Sequence, residues 1–202
     1  YLYPDTEKPD MYALKKAPNI TPIVIEKLQA VYGIEPSPEE ILAYIYAVFY
    51  SSLYREKYAE FLRIDFPRVP FTSDYDLFLE MAALGQRLID LHLLKSAELD
   101  KPSVKYQGQG KDNRIEKPRY LPEENRVYIN GTKYFEGISP EMWDYQIGGY
   151  KVLQKYLKDR KGRMMDDPRR YIHIAAAIQK TIEIQKEIDE LYPAVEGDVI
   201  KF

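Results

Sequence analysis

Apolar residues recur with a helical period over most of the chain, and capping residues mark where helices begin. A short helix is predicted from Pro22 to Gly33, because a threonine and a first-turn proline precede an apolar stripe that a glycine ends. The sequence Ser37-Pro38-Glu39-Glu40 combines a capping serine, a proline at the first helical position and a glutamate at the third. It predicts a helix that continues to about Leu62, since Pro67 and Pro70 forbid anything longer.

After residue 70, the sequence predicts two more long helices and, between them, a segment with the pattern of a β-hairpin. Thr72 or Ser73 is expected to cap a helix with an apolar stripe at Leu77, Phe78, Met81, Leu84, Leu88, Leu91 and His92. A final long helix is expected from about Pro168 to Leu191. Between them, Asn130-Gly131 separates two alternating segments, which is a strong hairpin signal.

These elements predict an α+β fold that is predominantly helical, with a small antiparallel sheet inserted in the middle. We expect a single domain over residues 1–202, with helical parts at 20–100 and 139–192 and a β/loop insert at 101–138. A chain of 202 residues can bury a core of its own. The opening segment carries Pro4 and Pro9 before any periodic pattern, so we expect the chain to be part of a longer polypeptide.

The amino-acid composition bears on the cellular location of the protein and on membrane association. The chain contains no cysteine and shows no secretion leader, so we expect a cytoplasmic protein. The longest apolar stretch, Ile41 to Tyr54, contains Tyr and Ser and is shorter than the roughly 18 residues that a membrane span needs. We therefore expect no membrane association.

Charge is unevenly distributed along the chain. The formal net charge is -3, yet residues 101–130 carry seven Lys/Arg against four Asp/Glu, and residues 151–170 carry eight against three. The two windows are locally +3 and +5, and the rest of the chain sums to -11. A basic face on an acidic body favours phosphate contact in one place and contact with protein or water elsewhere.

Catalytic sites find little support in the residues. The two histidines, His92 and His173, lie far apart in sequence and have no cysteine beside them, so no metal site is expected. His92 lies among leucines and is interpreted as a core histidine. Gly108 and Gly110 lack the spacing of a phosphate-binding loop, and no nucleophile elbow occurs. We expect a non-catalytic chain.

The segment from Tyr145 to Arg163 is the first candidate site. A helix is predicted from Tyr150 to about Lys161, and Gly148-Gly149 would expose backbone amides at its N-terminus, where anions bind. Three lysines share an arc of roughly 60° on that helix. The predicted phosphate-binding residues are Gly148, Gly149, Tyr150, Lys151, Lys155, Lys158, Arg160, Lys161 and Arg163. A solvated lysine face above a core helix explains the same pattern.

The second candidate site is the middle segment, where planar amides and guanidinium groups fall on loops. Gln and Asn can read adenine and Arg can read guanine through paired hydrogen bonds. The predicted base-reading residues are Tyr106, Gln107, Gln109, Lys111, Asn113, Arg114, Arg119, Asn130, Lys133 and Gln146. An ordinary polar loop has the same composition, so both interpretations stay open.

Three sequence blocks carry a resemblance to a known family. They are AYIYAVFYSSLYREKYAEFLRIDFPRVPF at Ala43 to Phe71, LGQRLIDLHLL at Leu84 to Leu94, and YQIGGYKVLQKYLKDRKGR at Tyr145 to Arg163. Their order and spacing resemble the C-terminal specificity region of type ISP restriction-modification enzymes and related putative DNA methylases. The resemblance runs from about Tyr1 to about Asp189.

The resemblance implies a function and partners. Enzymes of this family join a nuclease, an ATP-driven translocase and an adenine-N6 methyltransferase to a region that recognises double-stranded DNA. It implies that this chain is the recognition part, without a cofactor of its own, and that S-adenosylmethionine, ATP and Mg serve other domains of the same polypeptide. The alternative is a docking or coupling module that binds the methyltransferase or translocase domain and touches DNA little. A stand-alone hydrolase is a third possibility, for which no residue set can be named.

Overall fold

The computed structural model describes residues 18–202, so the opening segment with Pro4 and Pro9 lies outside the described residues. The chain divides into two compact units. The described part of unit 1 consists of residues 18–89 and Ile184–Phe202, and unit 2 is Asp90–Glu183. The single-domain organisation stays a prediction.

Helices account for most of the regular structure. In the described chain they are α1 (Pro22–Tyr32), α2 (Pro38–Tyr50), α3 (Ser52–Lys57), α4 (Phe61–Ile64), α5 (Tyr75–His92), α6 (Pro140–Asp144), α7 (Val152–Lys158) and α8 (Pro168–Gly197). The predicted start of α1 after Thr21 and its end at Gly33, which has a left-handed φ of 73°, are confirmed. The last helix is also confirmed and continues past Leu191, with Pro193 inside it.

The capping prediction at Ser37 is confirmed, but the predicted length of that helix is wrong. Ser37 and Glu40 bond to each other's backbone amides, as the motif requires. The helix ends at Tyr50, because the buried Ser51 turns the chain and caps α3 by accepting from the amide of Tyr54 at 3.2 Å. The Ser51 hydroxyl also donates to Asp189, at 2.7 Å from its Oδ1 atom, which fixes this break.

Helix α5 is capped one residue after Ser73, the later of the two predicted caps. Asp74, rather than Thr72 or Ser73, accepts hydrogen bonds from the amides of Asp76 and Leu77, at 2.9 and 3.2 Å. Within unit 1, α5 packs closely on α2 at Gly85, where an added Cβ would lie 1.8 Å from the backbone oxygen of Ala43.

Unit 2 contains the predicted antiparallel sheet. Its strands are β1 (Lys105–Gly108), β2 (Arg119–Leu121), β3 (Arg126–Tyr128) and β4 (Lys133–Glu136), in the order β1-β4-β3-β2. The hairpin at Asn130-Gly131 joins β3 to β4, as predicted. The α+β class is thereby confirmed.

One row of side chains across this sheet faces the core of unit 2. Tyr106, Phe135, Val127 and Tyr120 lie opposite one another on successive strands. The core beneath them comes from α6, α7 and the first part of α8, and includes Met142, Leu153, Leu157, Tyr171, Ala175 and Ile178. Helix α6 begins after its capping residue Ser139, whose hydroxyl accepts from the amide of Met142 at 3.2 Å.

Candidate nucleic-acid interface

The two basic windows of the sequence meet through backbone pairing in unit 2. The amide of Ile115 donates to the carbonyl of Arg163 at 2.9 Å, and the amide of Gly162 donates to the carbonyl of Ile115 at 2.7 Å. The amide of Met165 donates to the carbonyl of Asn113 at 2.8 Å. The segment after α7 therefore lies directly beside the loop that follows β1, which the sequence spacing does not indicate.

Arg114 strengthens this junction with its side chain. Its Nη1 atom donates to the carbonyl of Gly162 at 3.0 Å, and its backbone forms an isolated bridge with Met164. The neighbouring cations Lys111, Lys161 and Arg163 are exposed. Within residues 18–202 no carboxylate pairs with any of these three side chains. The junction thus presents positive charge to solvent from both windows.

Asn130 ties the β3–β4 turn to the same loop. Its Nδ2 atom donates to the carbonyls of Asp112 and Arg114, at 3.1 and 3.0 Å. Its Oδ1 atom accepts from the amides of Thr132 and Lys133, at 2.9 and 2.8 Å. The amide group predicted to read bases therefore already makes hydrogen bonds within the chain on both of its sides.

Three other predicted base-reading residues also make contacts within this loop cluster. The half-buried Tyr106 donates its hydroxyl to Asn113 Oδ1 at 3.0 Å, and burial together with the charge of Asp112 raises the Tyr106 pKa. Lys133 donates to the carbonyl of Gly108 at 3.0 Å, and its ammonium lies 5.7 Å from the centre of the Tyr106 ring. These contacts hold the loop in one shape.

The remaining predicted base-reading residues are exposed. Gln107 lies at the end of β1, and Gln109 and Lys111 follow it in the loop. Arg119 lies on the edge strand β2, 5.6 Å above the ring of Tyr128. The structure places Gln109, Lys111 and Arg114 in the loop after β1 and Gln107 in β1 beside that loop, whereas Arg119 and Gln146 lie on other elements.

The Gly148-Gly149 pair lies at the tip of a second hairpin, and the prediction that it opens a helix at Tyr150 is wrong. Strands β5 (Gln146–Ile147) and β6 (Tyr150–Lys151) pair so that Ile147 lies opposite Tyr150. The glycines have φ values of 57° and 81°, the left-handed conformation that a type I′ turn needs at both central positions. Helix α7 starts only at Val152, so no helix N-terminus is formed by these amides.

The predicted phosphate-binding cations differ in their surroundings. Lys151 and Lys155 pair with carboxylates, Lys151 with Asp144 at 2.6 Å and Lys155 with Asp159 at 2.8 Å. The hydrogen bond to Asp159 raises the pKa of Lys155. Arg160 stacks over the Tyr156 ring, with its guanidinium carbon 3.7 Å from the ring centre. Lys158, Lys161 and Arg163 are exposed.

The outer face of the sheet carries a polar aromatic surface that the sequence analysis missed. The rings of Tyr128 and Tyr134 lie 5.0 Å apart, and Arg126 lies 4.7 Å above Tyr134. Arg126 also bonds to Glu124 and Glu136, at 2.9 and 2.8 Å. The alternation of side chains along each strand could have identified this face. It places Tyr128 and Tyr134 on the face of the sheet that faces away from the buried Val127 and Phe135.

The two units carry net charges of opposite sign. Unit 2 contains 18 Lys/Arg and 14 Asp/Glu, a formal net charge of +4, whereas the described part of unit 1 contains 8 and 15, a net charge of -7. Across residues 18–202, no cluster of three or more metal-ligating side chains occurs, and no helix is both long and apolar enough to span a membrane.

The chain is similar to a known family and to solved structures. The family model of the type ISP C-terminal specificity domain matches residues 1–191. A cryo-EM structure of a DrdV–DNA complex matches with a TM-score of 0.68 and 24% identity over 87% of this chain and 20% of that chain. No curated protein sequence matches.

Two type ISP restriction-modification enzymes share the fold as well. LlaBIII bound to DNA matches with a TM-score of 0.62 and 18% identity over 98% of this chain and 13% of its own. A nuclease-deletion mutant of LlaGI, in complex with a DNA substrate mimic, matches with a TM-score of 0.56 and 20% identity over 76% of this chain and 14% of its own. The chain thus spans at most a fifth of the length of these proteins.

Proposed function

The chain belongs to the type ISP C-terminal specificity domain family, and on that premise we propose that it recognises a target sequence in double-stranded DNA. In this proposal it selects the site on behalf of a larger restriction-modification enzyme. The type ISP neighbours of known structure are bound to DNA or to a DNA substrate mimic, which supports DNA as the partner.

The observation that carries the proposal is the junction between the two basic windows. Backbone hydrogen bonds place the loop after β1 beside the segment after α7, so that amide and guanidinium groups lie next to exposed cations. Base edges are read by amide and guanidinium groups, and phosphates are held by cations. We assign base contact to Gln107, Gln109, Lys111 and Arg114, and phosphate contact to Lys158, Lys161 and Arg163.

Four of the predicted base-reading residues take a different role in the proposal. Tyr106, Asn113, Asn130 and Lys133 are bonded within the loop cluster and act as positioning residues. Their hydrogen bonds limit the loop to one shape before DNA arrives, which reduces the entropy lost on binding. Arg119 and Gln146 remain candidates for contacts outside this loop.

The remaining functions of the enzyme are proposed to lie outside this chain. The chain itself is proposed to be non-catalytic, with S-adenosylmethionine, ATP and Mg serving the methyltransferase and translocase domains of the same polypeptide. Those two domains are its proposed protein partners, and the cytoplasm is its proposed location.

The test compares base readout with general binding in the full-length protein. Gln109→Ala and Arg114→Ala are expected to lower the affinity for the preferred duplex more than for unrelated duplexes, roughly tenfold for each lost bidentate contact. Arg63→Ala is the matched control, because Arg63 is an exposed arginine of unit 1. If the loop variants weakened all duplexes equally, base reading by this loop would be refuted.

A second candidate function rests on an apolar surface of unit 1. A cavity of about 330 Å³ is lined by Tyr54, Tyr58, Phe61, Leu62, Phe66 and Val199. Phe66 is 90% exposed and Ile64 beside it is 82% exposed, in a unit of net negative charge. Such a surface fits docking to another domain of the enzyme. Phe66→Ser should then increase the radius of gyration of the full-length protein in solution scattering and leave its preferred DNA site unchanged.

A further inference from the structure

The hairpin of β5 and β6 presents an apolar tip to solvent. Ile147 and Tyr150 lie opposite each other in the pairing register, so their side chains share one face of the hairpin. Ile147 is 51% exposed and Tyr150 is 63% exposed. Two apolar side chains displayed together on so short a hairpin give unit 2 a small apolar contact surface.

The turn between these two residues is bare. A Cβ atom added at Gly148 or Gly149 would meet nothing within 4 Å in the described part of the chain, so packing there does not require glycine. The positive φ of a type I′ turn does not require two glycines either, since asparagine is favoured at the first central position. Having no side chain at either position leaves a narrow tip that another molecule can approach closely.

The base of the hairpin is firmly held. The amide of Val152 donates to the carbonyl of Tyr145 at 3.1 Å and extends the strand pairing towards the core. Gln154 donates to the carbonyl of Trp143 at 3.3 Å, and the ring of Trp143 stacks on Tyr120 at 5.0 Å. The tip therefore projects from a structured base, which lowers the cost of ordering it when it binds.

Three lysines lie beside this apolar tip, and two of them, Lys151 and Lys155, pair with carboxylates of the chain. Lys151 belongs to the hairpin itself, and the ammonium of Lys155 lies 5.4 Å from the centre of the Tyr150 ring. Lys158 follows on the same helix and is exposed. Proteins that insert apolar side chains between the base steps of a DNA duplex carry such side chains next to basic residues that contact the DNA.

We propose that the β5–β6 hairpin is an apolar wedge that contacts the bases of bound double-stranded DNA through Ile147 and Tyr150. The proposal rests on the proposed function, namely that unit 2 binds DNA. It differs from an anion site, because the contact is apolar and does not displace counterions. Its contribution to affinity is therefore independent of salt.

The experiment measures DNA affinity of the full-length protein against salt concentration. Ile147→Ser and Tyr150→Ser are each expected to weaken binding roughly tenfold at every salt concentration, because a Ser buries far less apolar surface. The slope of log affinity against log salt should stay that of the wild type. Tyr150→Phe should bind as the wild type does, since it keeps the ring.

Gly148→Asn tests the narrow tip without disturbing the fold. Asparagine is the residue most favoured at that turn position, so the hairpin is kept while a side chain is added at its tip. Reduced DNA affinity is expected. Gly33→Asn is the matched control, because Gly33 also has a left-handed φ and open space around its Cβ position in unit 1.

A photo-crosslinking residue at position 150 identifies the partner directly. Crosslinks to DNA are expected, and crosslinks to protein alone would overturn the proposal. Unchanged affinity in Ile147→Ser, Tyr150→Ser and Gly148→Asn would overturn it too, as would a loss that comes with a flatter salt slope. In each case weaker, less salt-dependent binding by Lys161→Ala/Arg163→Ala would show that the DNA-binding function itself still stands.

Discussion

Removing the two exposed cations after α7 should flatten the salt dependence of DNA binding. Lys161 and Arg163 are exposed beside the loop after β1, and no carboxylate in the described chain pairs with them. Because neither side chain has an anionic partner to leave within residues 18–202, each can neutralise a phosphate and release a counterion. The double variant Lys161→Ala/Arg163→Ala therefore removes two proposed phosphate contacts at one place.

The magnitude follows from counterion release. Each neutralised phosphate contributes about 0.9 to the slope of log affinity against log salt, so the double variant should lose about 2 units of slope. Between roughly 50 and 200 mM salt, the wild type should consequently lose about tenfold more affinity than the variant does. Fluorescence anisotropy with a labelled duplex and the full-length protein measures both curves.

A matched control separates local contact from overall charge. Lys27→Ala/Lys201→Ala removes the same formal charge from exposed positions of unit 1. It should leave the slope within about 0.5 of the wild type, since neither lysine is assigned a phosphate contact and so neither should release a counterion. Equal slopes in the wild type and in Lys161→Ala/Arg163→Ala, or equal losses in the two double variants, would refute phosphate contact at this segment.

Three further predictions concern the stability of unit 2. Asn130→Ala should lower the free energy of unfolding by about 2 kcal/mol in urea titrations. Asn130→Asp should lower it by less, because the aspartate keeps the acceptor for the two turn amides. Equal losses in the two variants would show that this acceptor does not contribute to stability. Tyr171→Phe should raise that free energy by about 1 kcal/mol, because the buried Tyr171 hydroxyl has no hydrogen-bond partner among residues 18–202; a loss would show that the hydroxyl is bonded. Burial lowers the pKa of His92 below its ordinary 6.5, so its stabilising effect is complete above that pH and is lost as the pH falls through the folded-state pKa. Urea midpoints should therefore fall more steeply with acid in the wild type than in His92→Gln, and parallel curves would exclude this effect.

Local sequence signals predicted where helices and the hairpin begin. Ser37-Pro38 acts through Glu40, three positions after Ser37, and Asn130-Gly131 acts through the adjacent strands, so nearby residues contain the information. The break after Tyr50 could not be predicted in this way. It depends on Asp189, which lies 138 residues from Ser51 in sequence.

The candidate site shows the same division between local and distant causes. Residue types and charge windows identified both basic segments, because charge is a property of composition. Their junction depends on hydrogen bonds between residues 113–115 and residues 162–165, which have no sequence signature. The prediction of a helix start after Gly148-Gly149 is wrong because the two-residue strands of this hairpin are too short to show alternation.

Sequence readout is proposed to lie in the β/loop segment of unit 2. The most direct measurement selects binding sites from a pool of random duplexes, using the full-length protein with and without residues 101–138 exchanged for those of a relative. The exchanged protein is expected to prefer a different sequence. An unchanged preferred sequence in a correctly folded protein would contradict it and would favour the docking function of unit 1.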